Sequence, residues 1–136
     1  MSVALDSLIP HRPPMQWVKE LTECTDTTAT ATACFKIGDF ALAGDFVPEA
    51  VLVECIAQTV AAAAAQRAKT KGKSSWATSG MLTGVSNFRV QSRPRAGQAL
   101  QIEIRELKRL GPMLMIAGSV SCDGQVVAAG ELTLYA

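Results

Sequence analysis

A chain of 136 residues with 49% hydrophobic and 5% aromatic side chains can build one core from Ala, Val, Leu, Ile and Met, but not two. A net charge of +1 gives no footprint for wholesale nucleic-acid binding. The start, MSVALDSLIPHR, lacks the charged opening and long apolar block of a secretory signal, which points to a soluble cytoplasmic protein with no membrane span.

Residues 1–14 read as a lead-in in which Pro10, Pro13 and Pro14 prevent regular structure. Gln16–Thr22 follows as a strand. Thr27–Phe35, TTATATACF, alternates Thr with Ala and forms the next. Residues 36–47, with Gly38 and Gly44, are a loop. The spacing then predicts a helix from Val51 to about Arg67, apolar almost all round and therefore buried. Its run Val51–Ala65 is shorter than the ~20 residues a bilayer needs. KTKGKSS ends it as a solvated basic segment, with Gly72 as the stop.

The remainder is β. Gly80–Val90 is a strand and Ser92–Gly97 a loop. Ala99–Leu107 alternates Leu100, Ile102 and Ile104 against Gln101, Glu103 and Arg105. Gly111-Pro112 turns the chain into Met113–Ser121, and Asp123-Gly124 is a hairpin signal leading into Val126–Tyr135. The order is α+β: one long apolar helix against one antiparallel sheet, in a single domain over residues 1–136. One sheet face cannot cover a helix apolar on every side. The sheet must wrap it, and a second subunit should close the remainder.

The chemistry concentrates in Phe46–Gln58, FVPEAVLVECIAQ. Glu54 and Gln58 are four apart and share a helix face. A carboxylate in so apolar a helix is either a satisfied structural acid or a working group. The four cysteines, Cys24, Cys34, Cys55 and Cys122, are scattered, and with a single histidine they make no metal site.

LIPHRPPMQWVKEL (Leu8–Leu21), PEAVLVECIAQ (Pro48–Gln58), SNFRVQSRPRAGQAL (Ser86–Leu100) and the Cys122-Asp123-Gly124 hairpin occur in the order of four motifs of one family. The chain resembles the hotdog-fold (3R)-hydroxyacyl-acyl carrier protein dehydratases of fatty acid synthesis. Ala57-Gln58-Thr59-Val60 is similar to the histidine-lacking branch, the dehydratase-like proteins of aryl-polyene-type lipid synthesis. The resemblance implies a hotdog dimer, homo- or heteromeric, with the sheet as bun and the helix as sausage. Its substrate is a 3-hydroxyacyl thioester on the phosphopantetheine of acyl carrier protein, and no cofactor is expected.

The resemblance assigns Glu54 to the substrate hydroxyl. The family histidine is missing from the loop before the helix, where Gly38-Asp39-Phe40 and Gly44-Asp45-Phe46 stand instead, so the base role falls to Asp39, Asp45 or His11. Either aspartate needs its pKa raised from ~3.9 to serve at neutral pH. Gln58, the backbone of Ala50 and His11 of the opening motif are substrate-side candidates. Arg89, Arg93 and Arg95 are candidates for the acidic carrier and its phosphate. Two other readings remain open: an acyl thioesterase that uses a carboxylate, and a non-catalytic hotdog subunit paired with an active dehydratase.

Overall fold

A computed structural model describes residues 2–10, 12, 13, 15–72 and 81–135. His11 and the end of the basic segment after the helix lie outside the described residues. The elements are β1 (Val3–Ala4), a 3-10 turn (Leu5–Ser7), β2 (Val18–Cys24), β3 (Thr28–Ala33), α1 (Glu49–Thr70), β4 (Met81–Val90), β5 (Leu100–Leu110), β6 (Met113–Cys122) and β7 (Gln125–Tyr135). The strands form one sheet in the order β1-β2-β3-β5-β6-β7-β4, and every pairing is antiparallel. One helix embraced by this sheet is the expected hotdog arrangement.

Two expectations are corrected at the N-terminus. The lead-in is not irregular throughout: Val3 and Ala4 pair with Leu21 and Glu20, and Leu5, Leu8 and Ile9 are buried. The prolines begin at position 10, so the residues before them keep their N–H groups and their apolar side chains drive docking. The next strand begins two residues later than expected, at Val18. The N–H groups of Trp17 and Val18 donate to the Gln58 side chain.

The alternation in β5 holds: Leu100, Ile102 and Ile104 are buried, while Gln101, Glu103 and Arg105 are exposed. The β5–β6 and β6–β7 hairpins close with two-residue loops, Gly111-Pro112 and Asp123-Gly124. Asp123 (φ 53°) and Gly124 (φ 79°) take the left-handed conformation that such tight turns require. Gly118 lies directly beneath the helix. A Cβ there would stand 2.5 Å from Ile56 Cγ2, so the glycine lets Ile56 of α1 seat closely on β6.

The helix starts at Glu49 rather than Val51, after Pro48 in extended conformation, and runs on to Thr70. Gly72 (φ 72°) follows it. Leu52, Ile56, Thr59, Ala62 and Ala63 are buried completely. Val53, Glu54, Ala57, Ala61 and Ala64 are only half-buried. The apolar helix therefore has a stripe, at helical spacing, that its own sheet does not cover. Among the described residues, no helix is long and apolar enough to cross a membrane.

Candidate active site at the helix start

The loop of residues 36–47 and the loop after β4 brace each other. Val47 N–H donates to Pro94 C=O (2.8 Å), Ala96 N–H to Asp45 C=O (2.8 Å) and Gly97 N–H to Phe35 C=O (2.7 Å). Phe46 is the pivot. The guanidinium of Arg95 lies 4.7 Å from its ring centre and that of Arg93 lies 6.0 Å away. These are cation–π contacts, which fix the loops while keeping the positive charge at the surface. The aromatic lead-in before Pro48 was visible in the sequence, but nothing local said which arginines it would meet.

Pro48 C=O accepts from Val51 N–H (3.0 Å) and Leu52 N–H (3.2 Å). Among the described residues, the N–H groups of Glu49 and Ala50 have no acceptor. They are the unsatisfied donors of a helix N-terminus, where the macrodipole favours a partial negative charge. Beside them is an open cavity of about 590 Å³, lined by Phe46, Val47, Pro48, Glu49, Phe88, Val90 and Arg93 among others. Ala50 and Glu54 share a face one turn apart, so the half-buried carboxylate stands just beyond the free donors. Neither Ala50 nor Glu54 is among the residues that line this cavity.

The other candidates are placed differently. Gln58 is buried: its Oε1 accepts from Trp17 N–H (3.0 Å) and Val18 N–H (3.2 Å), and its Nε2 donates to Met15 C=O (2.8 Å). It holds the lead-in to the helix. Asp39 Oδ2 accepts from Lys36 N–H (2.8 Å), and Asp39 N–H donates back to Lys36 C=O (3.0 Å), so this carboxylate closes its own turn. Asp39 lies in a separate cavity of about 260 Å³ with Trp17, Lys36 and Phe40. Asp45 pairs with Arg95 at 3.7 Å, half exposed to solvent. Asp39 is engaged with Lys36 N–H and Asp45 with Arg95, and the two aspartates are not brought into one site. His11 lies outside the described residues.

The three arginines also separate. Arg93 and Arg95 meet on Phe46, whereas Arg89 lines a trough on the outer face of the sheet. Cys55 is fully buried. Burial, and after it the neighbouring Glu54 charge, push its thiol far above the ordinary range, which removes it as a nucleophile. Among the described residues, no three His, Cys, Asp or Glu side chains converge as metal ligands.

The chain is similar to proteins known by sequence and by structure. The family profile described as ApeP-like, ApeP dehydratase, matches residues 3–136. The 3-hydroxyacyl-[acyl-carrier-protein] dehydratase FabZ of Lactococcus lactis subsp. cremoris is 25% identical over 130 residues, covering 92% of this chain and 87% of that protein. FabZ of Oceanobacillus iheyensis is 27% identical over 132 residues, covering 93% and 91%. In fold, the chain superposes on the dehydratase heterocomplex ApeI:P from Xenorhabdus doucetiae with a TM-score of 0.89 at 22% identity, covering 98% of this chain and 90% of that one. An HP0420 homologue from Helicobacter felis superposes with a TM-score of 0.71 at 13% identity, covering 94% and 84%. With the profile matched from residue 3 to residue 136, this chain belongs to the ApeP-like dehydratase family.

Proposed function

We propose that this chain is a dehydratase-like subunit that holds a 3-hydroxyacyl thioester on acyl carrier protein, in fatty acid or polyene-type lipid synthesis, and that works as one half of a hotdog pair. One observation carries the reading. Glu54 lies on the stripe of α1 that the chain's own sheet leaves uncovered, one turn from the free N–H groups of Glu49 and Ala50. A site built there is finished by whatever packs on that stripe.

The chemistry divides accordingly. Loss of water from a β-hydroxyacyl thioester needs a base at C2, an acid at the C3 hydroxyl and donors at the thioester oxygen. The helix N-terminus supplies the donors, and Glu54 serves the hydroxyl. The two aspartates are engaged elsewhere, with Lys36 N–H and with Arg95. With both candidate bases among the described residues engaged, on this reading the base sits on the partner subunit. The heterocomplex from X. doucetiae gives a precedent for two chains in one dehydratase.

The partner has surface to cover. Besides the α1 stripe, β4 is a sheet edge with Val85 exposed, and the loop before the helix presents Ile37 and Phe40 to solvent. Arg93 and Arg95, beside the cavity, suit the phosphate and acidic surface of the carrier.

The test is a product assay on a carrier-bound 3-hydroxyacyl thioester. The chain is supplied alone and then with a histidine-bearing hotdog subunit from the same genome. The expected result is enoyl thioester absorbance only from the mixture, with no thiol release. Full dehydration by this chain alone would place the base within it, and thiol release would make it a thioesterase.

A further inference from the structure

The face of the sheet turned away from α1 carries a charge pattern that the strand register fixes. Its centre is small: Ala117 and Ser119 on β6 and Ala129 on β7 form the floor of an open trough of about 700 Å³. The walls are charged. In one row Arg105 pairs across to Ala117, and Ala117 to Glu131. In the next row Glu103 pairs to Ser119, Ser119 to Ala129, and Ala129 to Arg89. The sign therefore alternates both along the strands and across them. No ion pair within the chain joins these four side chains.

At one end of this face stands an apolar row. Leu110, Met113, Tyr135 and Met81 are register partners on four successive strands, β5, β6, β7 and β4. Leu110 is 59% exposed, Tyr135 52% and Met81 68%. At the other end the row is mixed, with Gln101 opposite Ser121 and Ser121 opposite the exposed Val126. A contiguous apolar row beside a balanced charge array marks an interaction surface rather than a solvated face.

We propose that this outer face is an interface with a second copy of this chain, related by a two-fold axis that lies in the face, parallel to the strands, between β6 and β7. Such an axis sets β5 against the partner's β4 and β6 against its β7. Glu103 then meets Arg89 of the second copy, and Arg89 meets its Glu103. Glu131 of the second copy comes over Ala117, where the missing side chain makes room, next to Arg105. Leu110 meets Met81, and Met113 meets Tyr135. An axis running across the strands would also match the charges, but it would lay Met113 and Tyr135 of the apolar row against the Asp123-Gly124 turn. The apolar row thus selects the first axis. Twisted sheets pack face to face within about 30° of alignment, which this operation allows. The contact leaves the α1 stripe and the β4 edge open, so it adds to the hotdog pair and does not depend on the thioester reading.

The test is sedimentation of the full chain over a wide concentration range, with Glu103→Arg and Arg89→Glu. Each substitution puts like charges opposite each other and is expected to halve the mass of the largest species. A one-to-one mixture of the two variants restores both opposite-charge contacts, so the full mass should return. Leu110→Lys, which acts on the apolar row alone, should weaken the assembly without any such rescue. The proposal is overturned if all three variants keep the wild-type mass, or if mixing does not repair the loss. It is also overturned if Arg89→Glu abolishes capture of an acidic carrier protein while leaving the mass unchanged, since the face would then belong to the carrier.

Discussion

Glu54 and Gln58 differ by one turn of the same helix, yet they stand in different environments. Gln58 has its oxygen on two backbone donors and its nitrogen on Met15 C=O, all in the interior or at its margin. Gln58→Leu keeps the volume and strands those groups. An orphaned buried polar group costs about 1–3 kcal/mol, so unfolding in urea should show a loss of about 2–4 kcal/mol at unchanged slope. Glu54 is half-buried on the uncovered stripe. Glu54→Gln removes the charge and keeps the shape. In the assembled pair it should lower enoyl thioester formation by at least ~10²-fold while changing the melting temperature little. Unaltered turnover would take Glu54 out of the chemistry. Cys55 gives a pH test at the same scale. Its thiol is raised by burial first and by Glu54 second, so the folded chain holds its proton where the unfolded chain gives it up. The stability that depends on this proton is complete below the ordinary thiol value near ~8.5 and falls as pH rises past it. Iodoacetamide should accordingly label Cys55 only after unfolding.

The elements meet at two close approaches. Gly118 sits under Ile56, and Gly130 sits against Phe88, whose Cα would lie 2.6 Å from an added Cβ. At Gly118 the obstructing atoms belong to a side chain, which can move. At Gly130 the nearest atom belongs to the backbone of β4, which cannot move without disturbing the sheet. Gly118→Ala should cost about 1–3 kcal/mol by overpacking. Gly130→Ala should cost more and should free the β4 edge. Hydrogen exchange resolves the two cases: faster exchange confined to β4 and β7 is expected only for Gly130→Ala. Equal and global effects would show that the two contacts are not separable.

For the whole molecule, the central prediction concerns the stripe Ala57, Ala61 and Ala64. Small residues on a helix allow a close second helix, and a long charged side chain there would block one. Ala61→Arg should therefore prevent co-purification with the hotdog partner and abolish turnover of the pair. The chain itself should keep its fold, because Ala61 is not wholly enclosed by its own sheet. A pair that survives Ala61→Arg would place the partner elsewhere, with β4 as the remaining open edge.

The sequence by itself determined the features that rest on short-range periodicity and turn chemistry. Period-two alternation marked the buried face of β5, Asp123-Gly124 set the last hairpin, and the dense apolar run marked a helix in need of cover. The family motifs picked out Glu54 because it sits inside one of them. Tertiary structure decided what depends on register and on distant partners. Gln58 meets Trp17 and Val18 some forty positions away, which no local pattern encodes. The three arginines look like one cluster in sequence, but β4 carries an extra residue between Ser86 and Arg89, at Asn87 (φ 53°). That bulge turns Arg89 to the outer face, while Arg93 and Arg95, beyond the strand, fold back onto Phe46. A strand shows its face to the sequence only while its count is regular; one inserted residue reverses every side chain after it, and only the paired strand reveals where that happens.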